Sequence, residues 1–314
     1  MKRVLMKALY TVSIFFVLMS CTDLNENVYD KLPTDKFGTT AEQINAVMAP
    51  AYQSLKYLFN YDGPWGMADL TADILIIPTR VGGDWWDGGQ YMEQCMHTWG
   101  SHSYSVENCW SYCMTGLTTV NSIYSIIDAN TVMSDELKTR YLSELRGLRA
   151  LWYYFIIDNF GNAPLVTDYK DTSLPSVTNR ADLYKYVVKE LTEIIPNLRS
   201  DVSDVSYGKF TQGAARMVLA KMYLNAQEWV GQPNWQGVVD QCDEIMKLNY
   251  IIEANWKTNF AVHNEVSRET ILPICFKASD DWGNVLHLWT LHYLDTEALG
   301  FTAGTCSANS RRPA

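Results

Sequence analysis

The sequence predicts a mainly α-helical fold, a helical-repeat scaffold with long loops and a few short strands. Three observations lead to this prediction. Apolar residues recur at helical spacing in six segments, and two of these segments form a consecutive pair of helices. Strand-like runs are confined to residues 163–168 and 270–276. Each helix of such a pair has an apolar face that it cannot bury alone, so neighbouring pairs must stack. The strict period of about 34 residues is missing, which makes the expected scaffold a degenerate tetratricopeptide-like one.

The predicted helices cover residues 41–59, 105–130, 134–159, 181–195, 211–227 and 234–248. Thr40 is placed to cap the first helix, and Gln43 occupies its capping-box position. The third helix should end in a left-handed cap at Gly161, with Pro164 soon after. Pro196 should stop the fourth helix, because proline cannot continue it.

An apolar stripe on the third helix gives the clearest core prediction. Its members recur at spacings of four and three and are Tyr141, Leu145, Leu148, Trp152 and Phe155. Glu144 falls elsewhere on this helix. The inward residues predicted for the later helices are Leu183, Val187, Leu191, Ile194, Val218, Met222, Val238, Cys242 and Ile245. Close helix contacts are expected at the small residues Ala214, Ala215 and Ala220.

The first residues have the pattern of an export signal. Three basic residues precede or open an apolar core at residues 8–19, which is too short to span a membrane as a mature helix. The core ends in Leu-Met-Ser-Cys, which resembles a lipobox. We therefore predict a signal peptide over residues 1–20 and lipidation of Cys21; the alternative is an ordinary secretory signal with a chance cysteine.

Residues 21–40 are polar and aperiodic, which predicts a flexible tether between the lipid and the folded domain. Removing residues 1–20 takes away three of the 25 basic side chains and none of the 35 acidic ones, leaving a net charge of −13. Such a surface repels nucleic-acid phosphates and anionic lipid headgroups. We therefore expect no nucleic-acid partner, and a membrane link that comes from the acyl chains.

The other cysteines form neither a disulfide framework nor a paired C-x-x-C zinc motif. Cys109 and Cys113 lie one helical turn apart and have His97 and His102 nearby, so a metal site is one interpretation. Small thiols buried in a helix are the other, and we favour it. No metal and no cofactor are predicted.

A loop at residues 73–99 concentrates the chemistry of the chain. Glycine pairs at 82–83 and 88–89 permit the positive φ angles of a tight, exposed loop. Adjacent tryptophans on an exposed tip, Trp85 and Trp86, cost solubility unless they meet a partner. Aromatic faces with polar neighbours suit sugars and protein interfaces alike. The polar candidates for ligand contact are Asp73, Arg80, Asp84, Asp87 and Gln90.

Structural roles compete for several of these residues. One of Trp85 and Trp86 should face inward, because adjacent residues in extended backbone point in opposite directions. Trp99 is expected to be a framework tryptophan with His97 as a structural neighbour. Asp73 has capping of a turn as its alternative role.

Four stretches, taken in order, resemble the SusD/RagB family of glycan-binding outer-membrane lipoproteins from Bacteroidetes. They are the lipobox with its tether, the arginine-and-aromatic helix ending in N-F-G-x-x-P-L at residues 144–165, the helix signature at 213–226 and the strand-like run at 269–274. The resemblance extends from Cys21 to about Gly304. It implies a tetratricopeptide-like core and a protein that binds without catalysis.

The same resemblance implies where the ligand binds and what the partner is. The family's glycan site lies on the loop after a segment matching Thr71-Ala-Asp73, and an aromatic residue after the 269–274 run completes it. Here that aromatic is Trp282, which would join Trp85 and Trp86 in a stacking arc. The implied partner is a SusC-like TonB-dependent transporter in the outer membrane, with the lipoprotein at the cell exterior.

The predicted domain covers residues 41–305. Residues 306–314 depart from the family pattern, and relatives run further, so we expect a premature end from a frameshift or a displaced gene boundary.

Three alternatives compete with glycan binding. A glycosidase would use Asp84 and Asp87, but its acid needs a pKa raised by burial, which an exposed glycine-rich loop does not supply. A calcium site at these aspartates with Asp280 and Asp281 lacks EF-hand spacing. The third alternative is an adaptor that binds only protein. The sequence does not identify the glycan.

Overall fold

The computed structural model describes residues 37–38, 40–79, 83 and 85–277. Several sequence predictions fall outside the described residues. They concern the signal peptide with Cys21, the tether up to residue 36, Arg80, Asp84, Asp280, Asp281, Trp282 and the tail at 306–314.

The described chain is mainly helical, as predicted. Its α-helices are α1 Ala41–Ser54, α2 Pro64–Thr71, α3 Met92–Met96, α4 Tyr104–Asp128, α5 Asp135–Asn159, α6 Arg180–Ile194, α7 Gln212–Leu224, α8 Ala226–Val230 and α9 Trp235–Met246. Short 3-10 helices occupy Leu55–Phe59, Asp87–Gly89, Ile195–Asn197, Trp256–Phe260 and Asn264–Val266. All six predicted helices are present, although the one predicted over 211–227 ends at Leu224. The short helices α2, α3 and α8 were not predicted.

Strand structure in the described residues is limited to one pair. β1 (Ala163–Pro164) runs antiparallel to β2 (Val177–Thr178), with Ala163 opposite Thr178. The predicted strand at 163–168 therefore shrinks to two residues. The predicted strand at 270–276 is wrong: the segment has bends and irregular backbone, and no neighbouring strand in the described chain offers it a hydrogen-bond ladder.

Side-chain caps fix where the main helices begin. Thr40 Oγ1 accepts a hydrogen bond from Gln43 N at 3.3 Å, as the capping-box pattern predicts. The reciprocal bond differs, because Gln43 Oε1 accepts from Gly38 N at 3.2 Å. The cap therefore also secures the residues before the helix, where Phe37 is buried although it falls within the predicted tether.

Each main helix packs on its neighbours along the chain. α1 lies against α4, α4 against α5, α5 against α6, α6 against α7 and α7 against α9. This succession is the arrangement of stacked helix pairs, in which every unit contacts only adjacent units. The tetratricopeptide-like scaffold predicted from the sequence is thus confirmed.

The predicted stripe of α5 forms the centre of the core. Trp152 is fully buried, Leu145 and Leu148 likewise, and Phe155 at the end of the stripe is half-buried. The indole of Trp152 fits because α4 has Gly116 opposite it, where a Cβ would collide with the ring. Cys109 and Cys113 on α4 are fully buried, which confirms the interpretation as buried thiols.

Glu144 is buried, although it lies off the predicted stripe. Its Oε2 accepts a hydrogen bond from the Tyr52 hydroxyl at 2.6 Å, and that hydroxyl accepts from Phe210 N at 3.0 Å. This short chain of bonds joins α1 and α5 to the residues that precede α7. Burial raises the pKa of Glu144 above its ordinary value.

A second buried polar group ties α4, α5 and α6 together. Arg149 Nη1 donates to Asn121 Oδ1 at 3.2 Å, and its Nη2 donates to Glu190 Oε2 at 3.3 Å. Glu190 also receives two bonds from Arg146, at 2.9 and 2.8 Å. Burial alone would raise the pKa of Glu190, but the bonds from Arg146 and Arg149 hold it below its ordinary value.

The outer flank of α9 is apolar and exposed. Ile245 is its buried residue, and Val238 and Cys242, which were predicted to face inward, are half-buried. Trp235, Val239 and Met246 are exposed at spacings that place them on one side of the helix. We call these three residues the α9 stripe.

No helix within the described ranges has both the length and the apolarity required to cross a bilayer.

Candidate functional site

The loop between α2 and α4 contains unfavourable backbone conformations. Asp73, Trp85, Asp87 and His97 have φ angles of +58°, +61°, +37° and +53°, and they are all the non-glycine residues with positive φ in the described chain. For an L-residue this conformation costs about 1–2 kcal/mol. Such strain persists only where the surroundings impose it, and it concentrates at functional sites.

Trp85 anchors the loop to an aromatic cluster. Its ring centroid lies 5.0 Å from that of Tyr91 and 5.6 Å from that of Tyr61, which it meets edge to face. Tyr91 in turn packs on Tyr61 at 5.8 Å and on Tyr104 at 6.2 Å. We call Tyr61, Tyr91 and Tyr104 the tyrosine cluster. It holds the tip of the loop against the starts of α2 and α4.

Trp86 points the other way and is 51% exposed. Its indole lies beside Gly89, where a Cβ would stand 3.4 Å from the ring. The prediction that one of the two tryptophans faces inward is therefore confirmed. The physical reason differs from the one expected, because Trp85 is left-handed and Trp86 is right-handed helical, so neither has extended backbone.

Polar side chains flank the exposed indole. Asp87 is exposed at the start of the 3-10 turn, and Gln90 is half-buried at its end. Burial raises the pKa of Tyr91, and the charge of Asp87 raises it further. Trp86, Asp87 and Gln90 therefore lie together at the loop tip, with the side chains of Trp86 and Asp87 exposed.

Asp73 lies at the other end of the loop and is exposed. The amides of Ile74 and Leu75 both donate to Asp69 O at 3.1 Å, which closes a turn after α2. The left-handed backbone of Asp73 belongs to this turn. Its side chain is available to solvent, so the turn and a ligand-binding role are compatible.

No protein-family model matches the chain. Starch-binding protein SusD of Bacteroides thetaiotaomicron is 27% identical over 181 residues, which cover 56% of this chain and 32% of SusD. A SusD-like protein of Bacteroides ovatus is 22% identical over 299 residues, covering 89% of this chain and 52% of the relative. The chain is thus similar to SusD and to SusD-like proteins. It spans about half the length of these relatives or less.

Solved structures agree with the SusD-like fold. Surface glycan-binding protein A of Bacteroides thetaiotaomicron, in complex with laminarihexaose, gives a TM-score of 0.61 at 22% identity over 76% of this chain and 50% of its own. A laminarin-binding SusD-like protein gives a TM-score of 0.63 at 21% identity, and the match covers 75% of this chain and 51% of that protein. The names of these SusD-like proteins describe carbohydrate binding and no enzyme.

Three of the predicted site residues, Arg80, Asp84 and Trp282, are not among the residues that the structure describes. The stacking arc that includes Trp282 therefore stays a prediction, and the carboxylate pair of the glycosidase alternative, Asp84 and Asp87, stays untested. Within the described ranges, no group of three or more His, Cys, Asp or Glu residues is placed to hold a metal ion.

Trp99 differs from expectation. It is 40% exposed, so the prediction of a framework tryptophan is wrong. His97 is exposed as well, and its ring lies 5.2 Å from the Trp99 ring. The left-handed backbone of His97 ends α3 and turns the chain outward before Trp99. The loop thus exposes a second indole.

The sequence analysis missed the residues that support the loop. Asp62 is buried next to the tyrosine cluster and accepts hydrogen bonds from Asn108 Nδ2 at 2.8 Å and from the Tyr112 hydroxyl at 3.3 Å. Burial raises the pKa of Asp62. Tyr112 also stacks on Tyr57 with the ring centroids 5.0 Å apart. The available signal was the density of tyrosines at 57, 61, 91, 104 and 112.

Proposed function

We propose that this chain is a cell-surface lipoprotein that captures oligo- or polysaccharide and delivers it to a SusC-like TonB-dependent transporter in the outer membrane. The exposed indole of Trp86, held on a strained loop that Trp85 anchors, is the observation that carries the proposal. A rigid ring offers contact area at a low cost in conformational entropy. The laminarin and starch named for its relatives support a glycan as the ligand.

Binding would combine stacking with hydrogen bonds. The face of the Trp86 indole would lie against the C–H face of a sugar ring, and Asp87 and Gln90 would hydrogen-bond its hydroxyl groups. Asp73, Arg80, Asp84 and Trp282 are the further contacts that the sequence predicts. Because the tyrosine cluster fixes the loop beforehand, little ordering would accompany binding.

The chain would bind the glycan without cleaving it. A glycosidase acid needs a pKa raised by burial, and Asp87 is exposed at the loop tip. This arrangement suits hydrogen bonding to hydroxyl groups rather than proton transfer to a leaving group.

Attachment to the outer membrane would come from acyl chains on Cys21. The lipobox-like sequence before Cys21 and the negative charge of the mature chain support this, because the protein surface itself would be repelled by anionic headgroups. Labelling with a fatty-acid analogue should mark the chain, and Cys21→Ala should abolish the label. Label on the Cys21→Ala protein would contradict the anchor.

The α9 stripe is the surface we assign to the transporter. Exposed apolar side chains in one row are typical of protein interfaces, and the stripe shares no residue with the loop. The same stripe is what favours the alternative function, an adaptor that binds only protein. The two functions differ in whether the loop binds sugar.

Two tryptophans of equal exposure allow a matched test. Trp86 on the loop is 51% exposed, and Trp235 on the α9 stripe is 53% exposed. Each would be changed to alanine in the full chain, and binding to starch, laminarin and xyloglucan would be measured by affinity electrophoresis. Truncating a central aromatic contact costs about 2 kcal/mol or more, so Trp86→Ala should weaken binding by more than tenfold. Trp235→Ala should leave it unchanged.

Co-purification with the transporter should show the reverse pattern. Trp235→Ala should reduce recovery of the complex, whereas Trp86→Ala should not. If all three glycans bind neither the unmodified chain nor its variants while the complex still forms, the adaptor function replaces the one proposed here. Equal loss of glycan binding in both variants would contradict the assignment of the loop.

A further inference from the structure

A cavity lies away from the loop at residues 73–99. It has a volume of about 250 Å³ and is formed by the turn at residues 202–207, the start of α7, Tyr250 and the segment at residues 265–273. None of its lining residues belongs to the loop at 73–99. We propose that this cavity binds one small, neutral, polyhydroxylated ring, such as a monosaccharide or a cyclitol.

Hydroxyl-bearing side chains make up half of the lining of this cavity. Seven of its fourteen lining residues are serine, threonine or tyrosine. The hydroxyls of the three serines already donate within the protein, to Asp201 Oδ2, Ser203 O and Asn259 Oδ1, so the threonine and tyrosine hydroxyls are the candidates for ligand contact. Thr211 and Tyr250 bring their hydroxyl oxygens within 3.4 Å of each other, a weak contact that a ligand hydroxyl would improve. The Tyr207 hydroxyl makes no hydrogen bond within the described part of the chain. Donors and acceptors of this kind match the hydroxyl groups of a polyol.

Two tyrosine rings give the cavity its apolar surface. Burial raises the pKa of Tyr207 and of Tyr250, so both phenols stay protonated and can donate at neutral pH. Ile271 and Pro273 extend the apolar part of the wall. A ligand with one C–H face and several hydroxyl groups therefore satisfies both kinds of lining.

The charges around the cavity select against anions. Arg268 is the cation among the lining residues, and Asp204 and Glu265 are two carboxylates. Glu265 lies close enough to Tyr207 for its charge to raise the pKa of that phenol. A phosphate or carboxylate ligand would meet net negative charge, whereas a neutral ring can accept from Arg268 and donate to Glu265.

The wall that presents Arg268 is already held in place. Arg268 N donates to Glu253 Oε1 at 3.2 Å, and Arg268 O accepts from Ile251 N at 3.3 Å. Its Nη1 makes a longer contact, at 3.4 Å, with Val202 O across the cavity. The backbone needs no ordering on binding, and the guanidinium exchanges its weakest contact for the ligand.

The size of the cavity limits the ligand to a single ring. Drug-sized ligands occupy pockets of about 300–1,000 Å³, and this cavity falls below that range. A polysaccharide chain bound at the loop would not fit here. The cavity would instead take a monomer or the end of a short glycan.

The test uses the full chain in detergent with defined probes. Glucose, galactose and myo-inositol are the neutral rings, and glucose 6-phosphate and glucuronate are the charged ones, with binding followed by saturation-transfer NMR. We expect at least one neutral ring to bind and the charged rings to bind more weakly. Arg268→Gln removes a charged hydrogen-bond donor, so it should weaken binding by about tenfold.

Three controls make the outcome decisive. Thr270→Val replaces one lining hydroxyl by a methyl group at nearly constant shape, so it should weaken binding less than Arg268→Gln does. Thermal unfolding would confirm that both variants fold. Trp86→Ala should leave binding of the single ring intact, which separates this site from the loop. The inference fails if no neutral ring binds, if the charged rings bind more tightly, or if Trp86→Ala abolishes binding and Arg268→Gln does not.

Discussion

Trp85 and Trp86 are neighbours in sequence, yet their indoles have opposite environments. The Trp85 ring lies 5.0 Å from that of Tyr91, inside an aromatic cluster, while the Trp86 ring is half exposed beside Gly89. The left-handed backbone of Trp85 produces this separation. One tryptophan thus supports the loop, and the other is presented to solvent.

Trp85 should be replaceable by another aromatic residue but not by alanine. Truncating a buried tryptophan to alanine costs about 3–5 kcal/mol, and the partly buried Trp85 should lose somewhat less. Trp85→Ala should therefore loosen the loop and weaken glycan binding. Trp85→Phe should keep most of the order of the loop and most of the affinity for the glycan. Amide hydrogen exchange across residues 85–99 would measure the loosening. Unchanged protection in Trp85→Ala would refute the anchoring role.

Gly116 and Gly100 form a pair that tests the packing of the core. A Cβ at Gly116 would strike the buried ring of Trp152, and one at Gly100 would meet nothing within 4 Å. Gly116→Ala should destabilise the fold by about 1–3 kcal/mol through overpacking, and Gly100→Ala should change stability little. Urea unfolding of both variants measures the difference. Equal free energies of unfolding would show that α4 can move away from Trp152.

Glu144 should make stability depend on pH in a defined direction. Burial raises its pKa in the folded protein above that in the unfolded chain, so the folded state binds the proton more tightly. Its contribution to stability is therefore favourable at low pH and is lost as the pH rises from the ordinary glutamate pKa, about 4.3, through the raised value. Glu144→Gln should remove this dependence while still accepting the Tyr52 bond.

The measurement for Glu144 is the free energy of unfolding at a series of pH values. The advantage of Glu144→Gln over the unmodified chain should grow from about pH 4 upward and then level off. Glu144→Ala serves as the contrast, because it leaves the Tyr52 hydroxyl without its acceptor and should destabilise at every pH. If the stability advantage of Glu144→Gln over the unmodified chain shrinks as the pH rises, the predicted direction of the pH dependence is wrong.

Arg149 and Arg140 should differ in their contribution to stability. Arg149 is buried and bonds Asn121 and Glu190, so its loss leaves a buried carboxylate partly unpaired and should cost about 3–5 kcal/mol. Arg140 pairs at 3.1 Å with Glu136, which is largely exposed, and Arg140→Ala should cost less than about 1 kcal/mol. Chemical denaturation of the two alanine variants provides the comparison, and similar losses would mean that Arg146 alone satisfies Glu190.

The helices and their apolar faces could be predicted because their signals are local. The spacing of Leu145, Leu148 and Trp152 and the cap at Thr40 each depend on residues within a few positions of one another. The buried polar groups could not be predicted in this way, since Glu144 meets Tyr52 92 residues away and Arg146 meets Glu190 44 residues away. Periodicity assigns polar residues to the surface, and only the packed helices bring such partners together.

The candidate site was predictable in composition but not in geometry. Two tryptophans between glycine pairs indicated an exposed loop, and the structure places Trp86, Asp87 and Gln90 together at the tip of that loop. The support from Tyr61, Tyr91 and Tyr104 comes from three separate segments, so no local pattern identified it. Trp99 was assigned to the framework because nothing in the sequence showed that His97 would turn the chain outward.

The separation of Trp85 from Trp86 has a consequence for how ligand choice can diversify. A substitution at position 86 or 87 alters the contact surface without touching the aromatic cluster that holds the loop. Mutations that change specificity are therefore uncoupled from mutations that threaten folding. A scaffold arranged in this way can acquire new ligands through single steps at its tip while the inner tryptophan stays fixed.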